Sequence, residues 1–134
     1  MTQERYSRQI LFKDIGEHGQ QTINQKHVLI VGMGALGTHV AEGLVRAGIR
    51  ELTIVDRDYI EYSNLQRQTL FTESDADRML PKVVAAQDHL KHIRSDIKVN
   101  IYIEHVDAQF LEQYATSVDL IIDATDNFET RQLI

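Results

Sequence analysis

The sequence predicts an α/β fold, with a doubly wound, mainly parallel sheet and helices on both of its faces. Short β-branched apolar segments alternate along the chain with longer segments of helical periodicity, the order that a parallel sheet with right-handed crossovers requires. A glycine-rich segment, GMGALG at 32–37, directly follows the first apolar segment. The 134 residues, 43% hydrophobic and 25% charged, fit a single globular domain.

The individual elements follow from local pattern. Four short apolar segments have the composition of strands: residues 27–31, 51–56, 98–106 and 119–123. Three longer segments have helical periodicity: residues 38–47, from Pro81 to about Arg94, and around 108–114. Gly48 is a predicted helix C-cap, and the alternation in the third strand indicates a position near a sheet edge. Residues 57–73 are predicted to be mostly loop, and residues 1–25 a polar helical extension.

Composition excludes several classes of function. The chain has no cysteine, so a disulfide, a thiolate zinc site and a thiol nucleophile are excluded within these residues. No apolar stretch approaches the roughly 20 residues of a membrane span. The net charge is −6 without a Lys/Arg run, which disfavours nucleic acid as a partner. We therefore expect a cytoplasmic protein that binds neither membrane nor nucleic acid.

The glycine-rich segment predicts nucleotide binding in a Rossmann-like fold. Gly32, Gly34 and Gly37 lie between a predicted strand and a predicted helix, where glycines allow a tight turn and a close approach to phosphate. Asp56 ends the next strand, where it can accept a hydrogen bond from a ribose hydroxyl. The alternative is a glycine turn that only packs the helix, together with a capping aspartate.

Further polar residues indicate a triphosphate rather than a nicotinamide cofactor. Arg67 and Lys82 are suited to phosphate oxygens, and a cation at the start of a helix, as Lys82 is, suggests a nearby anion. Asp126 is a hard oxygen donor suited to Mg²⁺. Each residue has a simpler alternative: a surface ion pair for Arg67, solvent exposure for Lys82, and capping of the last helix for Asp126 and Asn127.

Several segments together resemble the MoeB/ThiF family, the bacterial relatives of ubiquitin-activating enzymes. They are RYSRQI at 5–10, VGMGALG at 31–37, VDRDYIEYSNLQRQ at 55–68, PK at 81–82 and DATDNFETR at 123–131. The resemblance implies ATP-dependent adenylation of the C-terminal glycine carboxylate of a ubiquitin-like sulfur-carrier protein of the MoaD/ThiS type. Pyrophosphate is released, and the reaction serves molybdopterin or thiamine biosynthesis.

The resemblance also implies roles for individual residues. Asp56 would contact the ribose, Mg²⁺ would bind Asp126, and Arg8 would reach the ATP site of the partner subunit in a homodimer. The implied catalytic residues are Arg67, Lys82, Asp126 and Arg8. The implied nucleotide-binding residues are Gly32, Gly34, Ala35, Gly37, Asp56, Ser63, Asn64, Leu65, Gln66, Arg67, Lys82, Asp126 and Asn127. Residues 1–25, with Ile10, Leu11 and Phe12, are expected at the dimer contact.

Two alternatives to an adenylating enzyme are a non-catalytic subunit that binds a ubiquitin-like partner and an NAD-dependent dehydrogenase domain. We expect residues 1–134 to be one adenylation domain that continues beyond Ile134. The resemblance assigns the carrier-binding groove, any structural Zn²⁺ and any transfer cysteine to those further residues. The isolated segment is therefore expected to lack full activity. The six histidines are interpreted as surface or packing residues.

Overall fold

The computed structural model describes residues 2–125, and its centre is a four-stranded parallel sheet in the order β3-β2-β1-β4. The strands are β1 (His27–Val31), β2 (Glu51–Val55), β3 (Lys98–Tyr102) and β4 (Leu120–Asp123). Val31 is paired with Val55 of β2 and with Asp123 of β4. The predicted Rossmann-like α/β fold is therefore confirmed, and the carboxyl ends of β1, β2 and β4 lie at one edge of the sheet.

Seven helices surround the sheet in the described part of the chain. They are α1 (Thr2–Arg5), α2 (Ser7–Ile10), α3 (Gly16–Ile23), α4 (Ala35–Ala47), α5 (Glu73–Asp77), α6 (Lys82–Ile93) and α7 (Ala108–Tyr114), with short 3₁₀ turns at Tyr62–Asn64 and Ala115–Ser117. The helix predicted at 38–47 begins three residues earlier, because the chain turns within the glycine loop and becomes helical directly after Gly34. Gly48 is its left-handed C-cap, as predicted, with φ of 112°. Pro81 precedes α6 rather than lying in its first turn.

The third strand is shorter than predicted. Its last residue paired with β2 is Tyr102, opposite Val55, and the next backbone contact is the N–H of Asp56 donating to the carbonyl of Tyr102 at 3.1 Å. Since β2 ends there, residues 103–106 have no strand to pair with. They form a loop at the carboxyl edge of the sheet instead. The predicted edge position is confirmed, because β3 is an outer strand of the described sheet.

Helices cover both faces of the sheet. On one face Ile30, Leu52 and Ile54 pack against α4 and α6, and on the other Leu29 and Val55 pack against α7. All five residues of β1 are buried, as its apolar sequence predicts. Among the residues described, no helix is both long and apolar enough to cross a bilayer.

The amino-terminal helices pack against the carboxyl end of α4. The amides of Gln9 and Gln20 both donate to the carbonyl of Ala47, each at 3.0 Å, and Tyr6 is buried beside Gly48. The predicted helical extension is therefore confirmed. Arg8, Leu11 and Phe12 are exposed on it.

Candidate nucleotide-binding site

A cavity of about 640 Å³ lies at the carboxyl edge of the sheet. The glycine loop forms one wall, the loop that follows β2 forms a second, and residues 104–106 after β3 form a third. Among the side chains and loop residues that the sequence singles out, those that line it are Gly32, Gly34, Ala35, Asp56, Asn64, Arg67 and Lys82. Segments that are distant in the sequence are brought together there, because parallel strands place their carboxyl ends on one side.

The three glycines of the loop have different physical roles. A Cβ on Gly37 would lie 1.9 Å from the carbonyl oxygen of Gly32, so Gly37 allows α4 to pack closely on the loop. Gly32 has φ of 97°, and a Cβ there would lie 3.0 Å from the carbonyl oxygen of Ala124. At Gly34, by contrast, the nearest atom to an added Cβ is 3.7 Å away, on Gln68. The space above Gly34 therefore belongs to the cavity.

The amino terminus of α4 opens into this space. Its N-cap residue is Gly34, and no side chain caps the helix. The first turn of a helix leaves backbone N–H groups without intrahelical partners, and the helix dipole favours an anion there. The loop and helix are thus suited to an anion without contributing a charged residue.

Asp56 connects the glycine loop to the loop after β2. Its Oδ2 accepts from the N–H of Met33 and its Oδ1 from the N–H of Asp58, both at 2.7 Å. A carboxylate has about four lone-pair sites, so these bonds leave capacity for a hydroxyl donor. The ribose contact stays a prediction, and the observed bonds add a second role in holding the floor of the cavity.

Two cations face the cavity from the loop and from α6. Lys82 is only 7% exposed, yet its Nζ has no hydrogen-bond or ion-pair partner in the described part of the chain. Arg67 is exposed and donates through Nη1 to the carbonyl of Ser63 at 3.0 Å, which leaves other N–H groups of its guanidinium for a ligand. The Lys82 side chain is thus mostly buried while its ammonium group, which no described protein group neutralises, is available to an anionic ligand in the cavity.

Some implied site residues are not among those that line the cavity. They are Gly37, Ser63, Leu65 and Gln66, of which Ser63 and Gln66 are exposed. Arg8 does not line the cavity of its own chain either. Asp126 and Asn127 lie outside the described residues. Within residues 2–125, no three histidine, aspartate or glutamate side chains are grouped to hold a metal ion.

Sequence reasoning gave no role to several residues that line the cavity, among them Gln68, Glu104, His105 and Val106. Glu104, His105 and Val106 were predicted to belong to the third strand. They form a loop beside the cavity instead, because β2 ends at Val55 and leaves them no strand to pair with. His105 therefore lies at the cavity, whereas His27 is a packing residue as interpreted. Gln68 is part of the same short segment as Asn64 and Arg67, so its proximity to them was the available signal.

Tyr102 and Asp75, which do not line the cavity, have shifted pKa values. A hydrogen bond from the Tyr102 hydroxyl to Tyr114, followed by burial, raises the pKa of Tyr102 to about 12, so this tyrosine stays neutral at the end of β3. Burial raises the pKa of Asp75, but hydrogen bonds from His89 and Thr72 outweigh it and hold that pKa below its ordinary value. Asp75 accepts from His89 Nε2 at 2.7 Å, which ties α5 to α6 below the loop.

The comparisons with known proteins agree with this geometry. The profile of the ThiF family matches residues 6–134. The chain is 47% identical over 130 residues to the sulfur carrier protein ThiS adenylyltransferase of Bacillus subtilis (strain 168) and 42% identical to that of Escherichia coli (strain K12). These alignments cover 97% of this chain but only 39% and 51% of the relatives, so the chain spans about half their length or less.

A solved structure extends the comparison to a bound nucleotide. The crystal structure of E. coli MccB with ATP superposes with a TM-score of 0.83 at 30% identity, covering 96% of this chain and 40% of MccB.

Proposed function

Because this chain belongs to the ThiF family, we propose that its protein uses ATP to adenylate the C-terminal glycine carboxylate of a ubiquitin-like sulfur-carrier protein. The observation that carries the proposal is the pairing of the uncapped amino terminus of α4 with the buried Lys82 in one cavity. Asp56 lies in the same cavity, in the position of a ribose-binding acid. A nicotinamide dinucleotide has no need of the additional buried cation.

The proposed reaction requires no proton transfer. An oxygen of the carrier carboxylate attacks the α-phosphorus of ATP, a new P–O bond forms, and the bond from the α-phosphorus to its bridging oxygen breaks. Pyrophosphate leaves with that electron pair. The carboxylate is ionised at neutral pH, so no general base is required, which agrees with a site built from cations and N–H groups.

Charge neutralisation and positioning supply the catalysis. Lys82 and Arg67 would balance the charge that collects on the departing pyrophosphate, and the N–H groups of α4 would hold a phosphate oxygen. Mg²⁺ would add to this neutralisation when bound, and we propose Asp126 as its ligand from the donor chemistry of an aspartate. Asp56, whose oxygens both accept backbone N–H groups, is the less suitable candidate for the metal.

The carrier is proposed to be of the ThiS type. The two relatives reported above, at 47% and 42% identity, are both named as ThiS adenylyltransferases. This similarity supports a place in thiamine rather than molybdopterin biosynthesis. The C-terminal tail of such a carrier would reach the cavity from the open side of the sheet edge.

Binding and exchange measurements on the intact protein test the proposal. Calorimetry should show binding of ATP with Mg²⁺, and tight NAD binding without an ATP signal would contradict it. Arg67→Ala and Asp126→Ala should each lower carrier-dependent ATP–pyrophosphate exchange by roughly 10²-fold or more, as removal of an oxyanion donor does. Arg78→Ala is the control, because Arg78 is an exposed arginine outside the cavity. An unchanged exchange rate would remove the substituted residue from the mechanism.

We also propose a homodimer in which Arg8 acts in trans. Gln9, the next residue, contacts Ala47 at the carboxyl end of α4, whereas the cavity lies at Ala35, the other end. A helix of 13 residues is about 20 Å long, which exceeds the reach of an arginine side chain. Leu11 and Phe12 are 77% and 57% exposed beside Arg8, and they would be covered in such a dimer.

A mixing experiment tests the dimer. Arg8→Ala and Asp126→Ala should each be inactive alone. In a heterodimer with sites shared between subunits, one site collects both lesions while the other is wholly native, so mixing should restore part of the exchange activity. If heterodimers form and no activity returns, Arg8 does not act across the subunit contact.

A further inference from the structure

Gln68 has a buried polar atom without a hydrogen bond. The residue is 3% exposed, and its Oε1 has no partner; within the described residues, no other side-chain nitrogen or oxygen atom is in this state. The backbone of Gln68 is conventional, because its N–H donates to the carbonyl of Asn64 at 2.9 Å and its carbonyl accepts from Phe71 at 3.1 Å. The anomaly is therefore confined to the side-chain amide.

The other end of this amide lies at the anion site. Nε2 of Gln68 is 3.7 Å from the position that a Cβ on Gly34 would take, and Gly34 is the residue from which α4 begins. Gln68 lines the same cavity as Lys82 and Arg67. Nε2 also has no hydrogen-bond partner among residues 2–125. A pair of N–H donors thus faces the place where the helix terminus and the two cations converge.

Packing alone does not account for a glutamine at this position. A buried acceptor that loses its bonds to water without replacement costs free energy of folding, and an apolar side chain of similar size would avoid that cost. Residues that lower stability in this way are characteristic of sites where a ligand is bound. The unpaired acceptor is therefore the cost of keeping a glutamine at this position, and its Nε2 donors, which lie at the cavity, are the groups that a ligand could use.

We propose that Gln68 donates a hydrogen bond from Nε2 to a phosphate oxygen of the nucleotide held at the amino terminus of α4. The inference rests on the proposed function and assigns one further residue to its phosphate site. Unlike Lys82 and Arg67, an amide adds no charge. It contributes direction instead, because its planar donors on a buried side chain accept only a narrow range of oxygen positions.

Gln68→Leu tests this inference, because it removes the donors and preserves most of the volume. Calorimetry on the intact protein should show an ATP dissociation constant raised roughly 10-fold or more, as expected for a lost bond to a charged acceptor. Binding of adenosine, which has no phosphate, should be unchanged. The melting temperature should stay the same or rise, since the unpaired acceptor is gone. Gln68→Met serves in the same way if the leucine variant does not fold.

Two glutamine controls separate binding from packing. Gln20 is also 3% exposed, but its amide is fully used, donating to Asn24 and Ala47 and accepting from Gln9. Gln20→Leu should therefore lower the melting temperature, in the opposite direction to Gln68→Leu. Gln113 is exposed on α7, outside the cavity, and Gln113→Leu should change neither ATP binding nor melting.

The outcomes distinguish this inference from the proposed function. If the wild-type protein binds ATP and Gln68→Leu binds it equally well, the phosphate contact is wrong while the proposed function stands. An equal loss of ATP and adenosine binding would also contradict the contact, because it would indicate a general disturbance of the cavity. If the wild-type protein binds no ATP, both proposals fail.

Discussion

Buried polar residues are joined by hydrogen bonds at one end of the sheet, and at the other end they have side-chain atoms without partners among residues 2–125. At the amino-terminal end, His27, Thr53, Asn100 and Glu51 are joined by hydrogen bonds. At the carboxyl end, Lys82 and Gln68 are as deeply buried but have side-chain atoms without partners in the described part of the chain. The difference separates the polar groups that stabilise the fold from those that we propose to bind a ligand.

Most of the hydrogen bonds at the amino-terminal end can be assigned a direction. Asn100 Nδ2 donates to Thr53 Oγ1 at 3.1 Å, and Thr53 Oγ1 lies 2.6 Å from His27 Nε2. His27 Nδ1 is 3.1 Å from the carbonyl of Ser117, which can only accept. His27 Nδ1 therefore donates to the Ser117 carbonyl, and His27 Nε2 shares a hydrogen bond with the Thr53 hydroxyl. Each of these groups has a hydrogen-bond partner, so its burial does not carry the free-energy cost of an unpaired polar atom.

The contrast predicts how substitutions at the two ends of the sheet change stability and ligand binding. A substitution that removes a satisfied polar group leaves its former partner unpaired and destabilises the protein. A substitution that removes an unpartnered group leaves no other group unpaired. It therefore stabilises the protein or leaves its stability unchanged, while it weakens ligand binding. The sign of the stability change thus identifies the end of the sheet on which a residue acts.

The largest effect is expected for Lys82→Met at the carboxyl end. Methionine fills similar space without the unpaired charge, so the melting temperature should stay the same or rise. Carrier-dependent ATP–pyrophosphate exchange should fall roughly 10²-fold, because a cation at the phosphates is lost. Lys91→Met is the control, since Lys91 lies on the same helix and its Nζ donates to the carbonyl of Ile97, outside the cavity. A lower melting temperature with unchanged exchange would assign Lys82 to the fold.

A smaller effect is expected for Thr53→Val at the amino-terminal end. Valine preserves the shape but removes the hydroxyl between His27 and Asn100, so the free energy of unfolding should fall by about 1–3 kcal/mol. The dissociation constant for ATP should not change. Thr22→Val is the control, because the hydroxyl of Thr22 is exposed and its loss should cost within about 0.5 kcal/mol. Equal losses in the two variants would contradict the contribution of this hydrogen-bonded group.

Much of the carboxyl end could be predicted from sequence, because its features are local. Each feature can be recognised from a few neighbouring residues: the glycine spacing, Asp56 after a strand, and Lys82 after Pro81. The strand order then brings them together, since parallel strands share a carboxyl edge. The early start of α4 and the length of β3 could not be predicted, because both depend on where a neighbouring segment turns.

The amino-terminal end could not be predicted in the same way. His27, Thr53 and Asn100 come from three strands, and their contact depends on the register that pairs Thr53 with Asn100. Nothing near His27 in the sequence indicates which acceptor it faces. Gln68 is a similar case, since its unpaired Oε1 is a property of the packed loop. Residues whose partners lie on other elements require the three-dimensional structure.

The smallest effect concerns Glu51, which links the amino-terminal end to its surface cations. Burial raises the pKa of its carboxyl, but the hydrogen bond from Asn100 and the electrostatic effects of His27, Lys98 and Arg50 outweigh burial and hold the pKa below its ordinary value. A carboxyl whose pKa is lower in the folded state stabilises the fold above its unfolded pKa, about 4.3. That contribution is lost as pH falls through the folded value. Chemical denaturation at a series of pH values should therefore show a shallower fall below about pH 5 for Glu51→Gln than for the wild type. Glu112→Gln, at an exposed position on α7, should follow the wild-type curve, and a Glu51→Gln curve parallel to both would mean that Glu51 contributes nothing to acid sensitivity.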